Sequence, residues 1–186
     1  LELQNNQLQI VQNTYTKNSI LIFLPASNFS EEEYQIINRV FAKAGKKVFI
    51  SSDSYSVCKG DRGVKVKADI DYFNVNEKNF SAIVLIGGKG SKEYWDNEYL
   101  HKIVKKFKSS GKIISAICSA PITLARAGLL SKISATCWSE DKNELIKLGV
   151  QYQDRNVVVD NNIITADGPR SAEQFAESVV NMTKSN

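Results

Sequence analysis

Short apolar runs alternate with segments of helical period along this chain. Ser19-Ile-Leu-Ile-Phe-Leu-Pro25, Lys47-Val-Phe-Ile-Ser51, Ser81-Ala-Ile-Val-Leu-Ile86 and Lys112-Ile-Ile-Ser-Ala-Ile117 are nearly continuous in apolar residues. Runs of that length read as strands covered on both faces, as in a parallel sheet. Between them, Ile37, Val40, Phe41 and Ala44 recur at i, i+3, i+4, i+7 and predict a helix over 30–44 that Gly45 ends. Leu100, Ile103, Val104 and Phe107 predict a second helix, closing near Gly111, and Ala172, Phe175, Ala176, Val179 and Val180 predict a last one. A further helix starts directly after Cys118, with Pro121 in its first turn and Gly128 past its end. Gly63-Val-Lys-Val-Lys-Ala-Asp-Ile70 alternates and predicts a half-exposed strand. Asn156-Val-Val-Val159 and Asn162-Ile-Ile-Thr165 predict a hairpin across Asp160-Asn161. Residues 1–18 are rich in Gln and Asn and read as an N-terminal tail or edge hairpin, leaving 19–186 as a single domain. The alternation predicts an α/β fold, a doubly wound, mostly parallel sheet in a three-layer α/β/α sandwich.

Composition narrows the function classes. The chain has 186 residues, 42% hydrophobic and 24% charged, which suits one globular domain and excludes a disordered or fibrous chain. A net charge of +4 is too small to imply a nucleic-acid partner. Lys102, Lys105, Lys106, Lys108 and Lys112 cluster without interleaved aromatics, the pattern of a solvated helix face. No apolar run reaches the ~18–20 residues of a membrane span. The three cysteines, Cys58, Cys118 and Cys137, make neither a disulfide framework nor a CxxC metal site. They suit a reducing, cytoplasmic compartment. Because the chain opens at Leu1 rather than Met, a removed leader stays open. No metal or organic cofactor is implied.

In doubly wound sheets the site lies beyond the carboxyl ends of the strands. Three such ends can be named: Pro25 onward, Gly87-Gly88, and Cys118. Ala116-Ile-Cys118-Ser-Ala120 has the small-x-nucleophile-x-small spacing of a strand-to-helix elbow, with alanine in place of glycine. A helix N-terminus behind the sulfur favours a thiolate, and its N–H groups, Ser119 first, can hold an oxyanion. Cys118 as a small buried hydrophobe is the plain alternative. Gly87-Gly88 can turn a second N–H into the cleft or can simply end a strand. Ser30 and Glu33 have capping-box spacing. Glu33 is therefore either a cap partner or a cleft carboxyl whose buried, neutral form bonds the Cys118 sulfur. Cys137 is either a resolving thiol or a buried strand residue, and Cys58 falls in an irregular polar stretch.

Together these motifs resemble the ThiJ/PfpI (DJ-one) superfamily, closest to its PfpI-like intracellular protease/amidase branch. The resemblance spans roughly residues 19–183. It rests on Phe29-x-Glu-x-Glu33, Ala44-Gly45, Gly63-Val-Lys-Val-Lys-Ala-Asp69, Ile86-Gly-Gly88 with Glu93-Tyr94, and Ala116-Ile-Cys-Ser-Ala-Pro121. Ala127-Gly-Leu-Leu130, Gly149-Val150, Val157-Val-Val-Asp160 and Thr165-Ala-Asp-Gly-Pro169 complete it. The resemblance implies a flavodoxin-like sandwich and a homodimer or higher homo-oligomer. It assigns the reactive cysteine to Cys118, the proton-sharing glutamate to Glu33, and the oxyanion hole to the backbone of Gly88 and Ser119. Gly87, Cys137 and Trp138 would line the site. The implied chemistry is a cysteine-dependent hydrolase, amidase or cofactor-free glyoxalase acting on a small carbonyl or peptide/amide substrate; the alternative is a non-catalytic oxidative-stress sensor or interaction protein working through Cys118 oxidation. One departure is plain. PfpI-like members carry histidine after the cysteine, where this chain has Ser119, and other branches carry one where Trp138 stands. His101, the only histidine, lies mid-helix and is expected on the surface.

Overall fold

The computed structural model describes residues 2–53 and 57–185. In chain order its elements begin with α1 (Glu2–Asn18), β1 (Ser19–Phe23), β2 (Ser27–Phe29), α2 (Glu31–Lys43) and β3 (Lys47–Ser52). They continue with β4 (Val57–Gly60), β5 (Lys65–Lys67), β6 (Ile70–Asp71), β7 (Ala82–Leu85), α3 (Glu98–Ser109) and β8 (Ile113–Ile117). The rest are α4 (Pro121–Arg126), β9 (Ser134–Ala135), α5 (Lys142–Ile146), β10 (Gln151–Tyr152), β11 (Val157–Asp160), β12 (Ile163–Ala166) and α6 (Ala172–Ser185).

The central sheet runs β11-β12-β8-β7-β1-β3-β6. All its neighbours are parallel except the β11–β12 hairpin. Its inner strands β1, β7 and β8 are buried along their whole length, which is why they read as unbroken apolar runs. Alternate side chains feed two cores. Ile20, Ile22, Val84 and Ile164 pack with Ile37 and Phe41 of α2 and Phe175, Ala176 and Val179 of α6. Leu21, Phe23, Ile83, Leu85 and Ile114 pack with Leu100, Ile103, Val104 and Phe107 of α3 and with Ile122 and Leu124 of α4. The three-layer sandwich expected from the pattern is thus present. No helix among the described residues is long and apolar enough to cross a membrane.

Three expectations change. Glu2–Asn18 is a helix rather than a tail or hairpin. Its many Gln and Leu residues are good helix formers, and Leu8, Val11 and Tyr15 make a sparse stripe that the polar composition hides. None of its side chains is buried. The strand expected over 63–70 is divided between two sheets. β5 pairs antiparallel with β4, and β6 joins the central sheet beside β3. Asp69 makes the break, accepting the Ile50 N–H on its carboxylate (2.8 Å) while its own N–H donates to the Ile50 carbonyl. Cys58 sits in β4 and is fully buried rather than in a polar loop, because β4 lies between β2 and β5.

Candidate functional site

β7 and β8 are neighbours with Leu85 opposite Ala116. Continued two residues past the strands, that register sets Gly87 beside Cys118. A Cβ on Gly87 would fall 2.6 Å from the Cys118 Cβ, 2.6 Å from the Ile117 carbonyl and 2.7 Å from Glu33 Oε1. The missing side chain is what lets acid, sulfur and turn meet. Gly88, at φ 101°, occupies the left-handed region, and a Cβ there would meet the Ser30 nitrogen at 2.5 Å.

Glu33 comes from the first turn of α2. Ser30 caps that helix, its Oγ accepting the Glu33 N–H at 3.3 Å. The Ser30 N–H in turn donates to the Gly87 carbonyl at 2.9 Å, tying the helix start to the glycine turn. The cap and the site role therefore coexist. The Glu33 side chain is completely buried, with Oε1 accepting the Gly87 N–H at 3.0 Å. Burial pushes its pKa up to about 7; the Gly87 N–H, Ser30 and Cys118 pull against that, and Asp61 adds to it.

Cys118 ends β8 at φ 65°, the conformation of a strained elbow that non-glycine residues rarely take and that costs about 1–2 kcal/mol. The residue is buried, with 8% of its surface exposed. Burial pushes the thiol pKa up and an ionised Glu33 would push it further, whereas the N–H groups of Gly88 and Ser119 pull it down. The expected depression of this thiol thus meets an opposing force, desolvation, that a sequence does not display. Glu33 Oε2 decides where the pair's charge sits. It is fully buried and no nitrogen or oxygen atom satisfies it. An ionised carboxylate would leave that oxygen bare, a cost of several kcal/mol at zero exposure. A neutral carboxyl carries no such bare charge and keeps its side-chain hydrogen bond with Cys118. The two groups titrate as one pair.

The loops around the elbow are laced to it. The Trp138 N–H donates to the Cys118 carbonyl (2.8 Å) and the Trp95 indole N–H donates to the Ser119 carbonyl (2.8 Å). Ser119 Oγ donates to Asp141 Oδ2 at 2.6 Å. α4 begins only at Pro121, so Ser119 and Ala120 form a turn between the sulfur and the helix. Trp138, 38% exposed, walls a cleft of about 500 Å³ together with Glu32, Tyr152, Asp154, Asp167 and Arg170. Cys137 touches the same cleft from a fully buried position, its Sγ donating to the Trp138 carbonyl at 3.2 Å. Burial, then Asp141 and Asp167, push that thiol up to about 12.

The structure brings Cys118, Glu33, Gly87, Gly88 and Ser119 together. The chain beyond Pro25 passes through β2 before α2, and its Asn28 carbonyl lies against Gly88, 2.7 Å from where a Cβ there would fall. His101 is half-buried, not on the surface, with Nε2 2.8 Å from the Trp95 carbonyl. Asp141, Trp95 and Lys92 escaped the sequence reading, since no motif joins Ser119 to an aspartate 22 residues on or to a tryptophan 24 residues back. Among the described residues no group of three or more His, Cys, Asp or Glu side chains could hold a metal ion.

The family model described as DJ-1/PfpI family matches residues 18–182. The uncharacterized protein MJ0967 of Methanocaldococcus jannaschii is 39% identical over 170 residues, covering 90% of this chain and 83% of its own. Deglycase PfpI of Pyrococcus furiosus is 30% identical, covering 88% and 99%. Glutathione-independent glyoxalase DJR-1.2 of Caenorhabditis elegans is 30% identical, covering 87% of each. A crystal structure of a ThiJ/PfpI domain protein from Brachyspira murdochii superposes with a TM-score of 0.89 at 33% identity, covering 91% of this chain and 98% of that one.

Proposed function

The chain belongs to the DJ-1/PfpI family, and from that premise we propose that it is a cysteine-dependent enzyme of hydrolase or glyoxalase type acting on small carbonyl compounds. Cys118 is its nucleophile, Glu33 its acid/base, and the Gly88 and Ser119 N–H groups its oxyanion hole. The observation that carries the reading is a fully buried Glu33 carboxyl, one oxygen of it orphaned, in a hydrogen bond with the elbow cysteine. A single domain from residue 19 onward and a homodimer or higher homo-oligomer belong to the same reading.

For a 2-oxoaldehyde the steps follow from the pair. The sulfur adds to the aldehyde carbon, and the oxygen that gains charge meets the two N–H groups. The Glu33 proton neutralises that oxygen, which gives a hemithioacetal. Glu33, now a carboxylate, takes the C–H proton and delivers it to the neighbouring carbon, while the hydroxyl proton passes to that carbon's oxygen. The product is a thioester of a 2-hydroxy acid. Water adds to the thioester carbon, one of its protons returns to Glu33, the other stays with the acid, and the Cys118 sulfur leaves. The sum is one aldehyde plus one water giving one 2-hydroxy acid, with no cofactor consumed.

Lactate formation from methylglyoxal tests the reading. The reactive pair holds one proton, and Glu33, raised to about 7, sets an upper limit for loss of the first. Turnover should therefore rise with pH to about 7 and then level off. Cys118→Ala should abolish it, and Glu33→Gln should lower it by ~10²–10⁴. Full turnover by Cys118→Ala would overturn the reading. A second reading, oxidation sensing at Cys118, is favoured by one observation. Ser119 stands where a histidine base would be and is committed to Asp141. Peroxide titration with intact-mass detection distinguishes the two. A parent that forms no lactate yet oxidises selectively at Cys118 is a sensor.

A further inference from the structure

Four interactions converge on the two residues of the elbow from outside it. Cys118 is held at its carbonyl by the Trp138 N–H and at its own N–H by the Ala166 carbonyl (3.0 Å). Ser119 is held at its carbonyl by the Trp95 indole and at its hydroxyl by Asp141. Of these, the last joins a hydroxyl to a buried carboxylate at 2.6 Å. It is the shortest of the four and the one that is charge-assisted. Asp141 is itself fixed. Its N–H donates to the Trp138 carbonyl at 2.8 Å, and Lys92 Nζ lies 3.6 Å from its Oδ1. Lys92 also rests over the Trp95 ring, 5.7 Å from its centroid. Asp141, Trp138, Trp95 and Lys92 therefore form one connected support around Ser119.

That support bears on the chemistry because the Ser119 N–H is one of the two backbone groups that pull the Cys118 thiol pKa down. That N–H shares one rigid peptide plane with the Cys118 carbonyl, which the Trp138 N–H holds, and its direction is fixed further by whatever anchors the Ser119 side chain. At φ 65° the elbow does not favour its own conformation, so the fixing comes from outside. We propose that Asp141 is a positioning residue that, through the Ser119 hydroxyl, holds the Ser119 N–H on the reacting sulfur and on the oxyanion that forms beside it. The inference rests on Cys118 being the nucleophile and adds a residue two loops away to that site.

The test combines lactate formation from methylglyoxal with the pH dependence of Cys118 alkylation by iodoacetamide, read peptide by peptide by mass spectrometry. Asp141→Asn and Ser119→Ala should each lower kcat roughly tenfold or more, less than the ~10²–10³ of losing an oxyanion donor outright, with KM within about twofold. Each should also move the Cys118 alkylation midpoint upward, since the thiolate loses a donor. Removing a negative charge acts in the other direction, so the sign separates aiming from simple electrostatics. Ser119→Thr, which keeps the hydroxyl, should restore both readouts, and the double variant should be no worse than the worse single. Ser119→Ala carries the test if Asp141→Asn folds poorly. Unmoved kcat and midpoint in Ser119→Ala, or a downward midpoint in Asp141→Asn, overturns the inference. Full turnover by Cys118→Ala is a separate result that overturns the catalytic reading instead. The alkylation arm is read whether or not lactate forms.

Discussion

At Gly87 the absence of one carbon atom lets the Glu33 carboxyl and the Cys118 side chain approach each other. Alanine there would put a methyl group within 2.7 Å of Cys118 Cβ, the Ile117 carbonyl and Glu33 Oε1, two of them on one neighbouring strand end. Backbone carbonyl and carboxyl cannot both yield. Gly87→Ala should destabilise the fold by about 1–3 kcal/mol, the usual cost of overpacking, and should uncouple Glu33 from the sulfur. Urea unfolding measures the first effect and Cys118 alkylation the second. Much of this was legible in the chain. Cys118 stood out by elbow spacing, Gly87-Gly88 by ending a buried strand, and Glu33 by its place after Ser30. Which role Glu33 takes was not legible, because cap spacing and cleft position look alike in one dimension. Asp141 and Trp95 were invisible for a different reason. Each reaches the elbow through a single long-range bond that leaves no periodic or local trace.

α2 is the element that organises the site, and it does so from both sides of its first turn. Glu33 faces inward to the sulfur. Glu31, also buried, accepts the backbone N–H groups of Arg62 and of Val64 (3.1 Å), and its own N–H donates to Asp61 (3.3 Å). The turn after β4 is thus clasped to the helix start. Glu31→Ala leaves two N–H groups without their acceptor and should cost about 1–3 kcal/mol, while the Cys118 titration stays where it was. Thermal unfolding and alkylation measured on the same variant separate stability from chemistry. α2, α3 and α6 announced themselves because each buries a periodic face, and the inner strands because both of their faces are buried. α1 did not, since it buries nothing. β5 and β6 could not be told from one strand, since Asp69 breaks the run without interrupting the alternation.

Across the whole molecule the parallel sheet spends its carboxyl edge on one coupled pair, and the pH dependence of global stability should show it. The unfolded chain sheds the Glu33 proton near its ordinary 4.5, whereas burial in the fold lifts that loss to about 7 and leaves the carboxyl–sulfur pair sharing one proton above it. Below 4.5 the folded and unfolded chains hold equal numbers of protons. Between 4.5 and 7 the folded chain holds one more, so stability falls as pH rises through that window and is lower above 7. A shift of that size corresponds to roughly 3 kcal/mol. Glu33→Gln has no proton to lose and should escape the fall. Its stability relative to the parent should rise from pH 4.5 to 7 and then level off, as followed by urea denaturation at fixed ionic strength. A parallel pair of curves would place the titrating group elsewhere.

The central claim is that Glu33 holds a proton for the Cys118 sulfur. It is met most directly by the pH dependence of Cys118 alkylation in the parent and in Glu33→Gln, resolved from Cys58 and Cys137 by mass spectrometry. A carboxyl O–H is a stronger donor to a thiolate than an amide N–H. Glu33→Gln should therefore move the Cys118 midpoint up by about one unit or more. A midpoint that stays put or falls in Glu33→Gln would contradict the account.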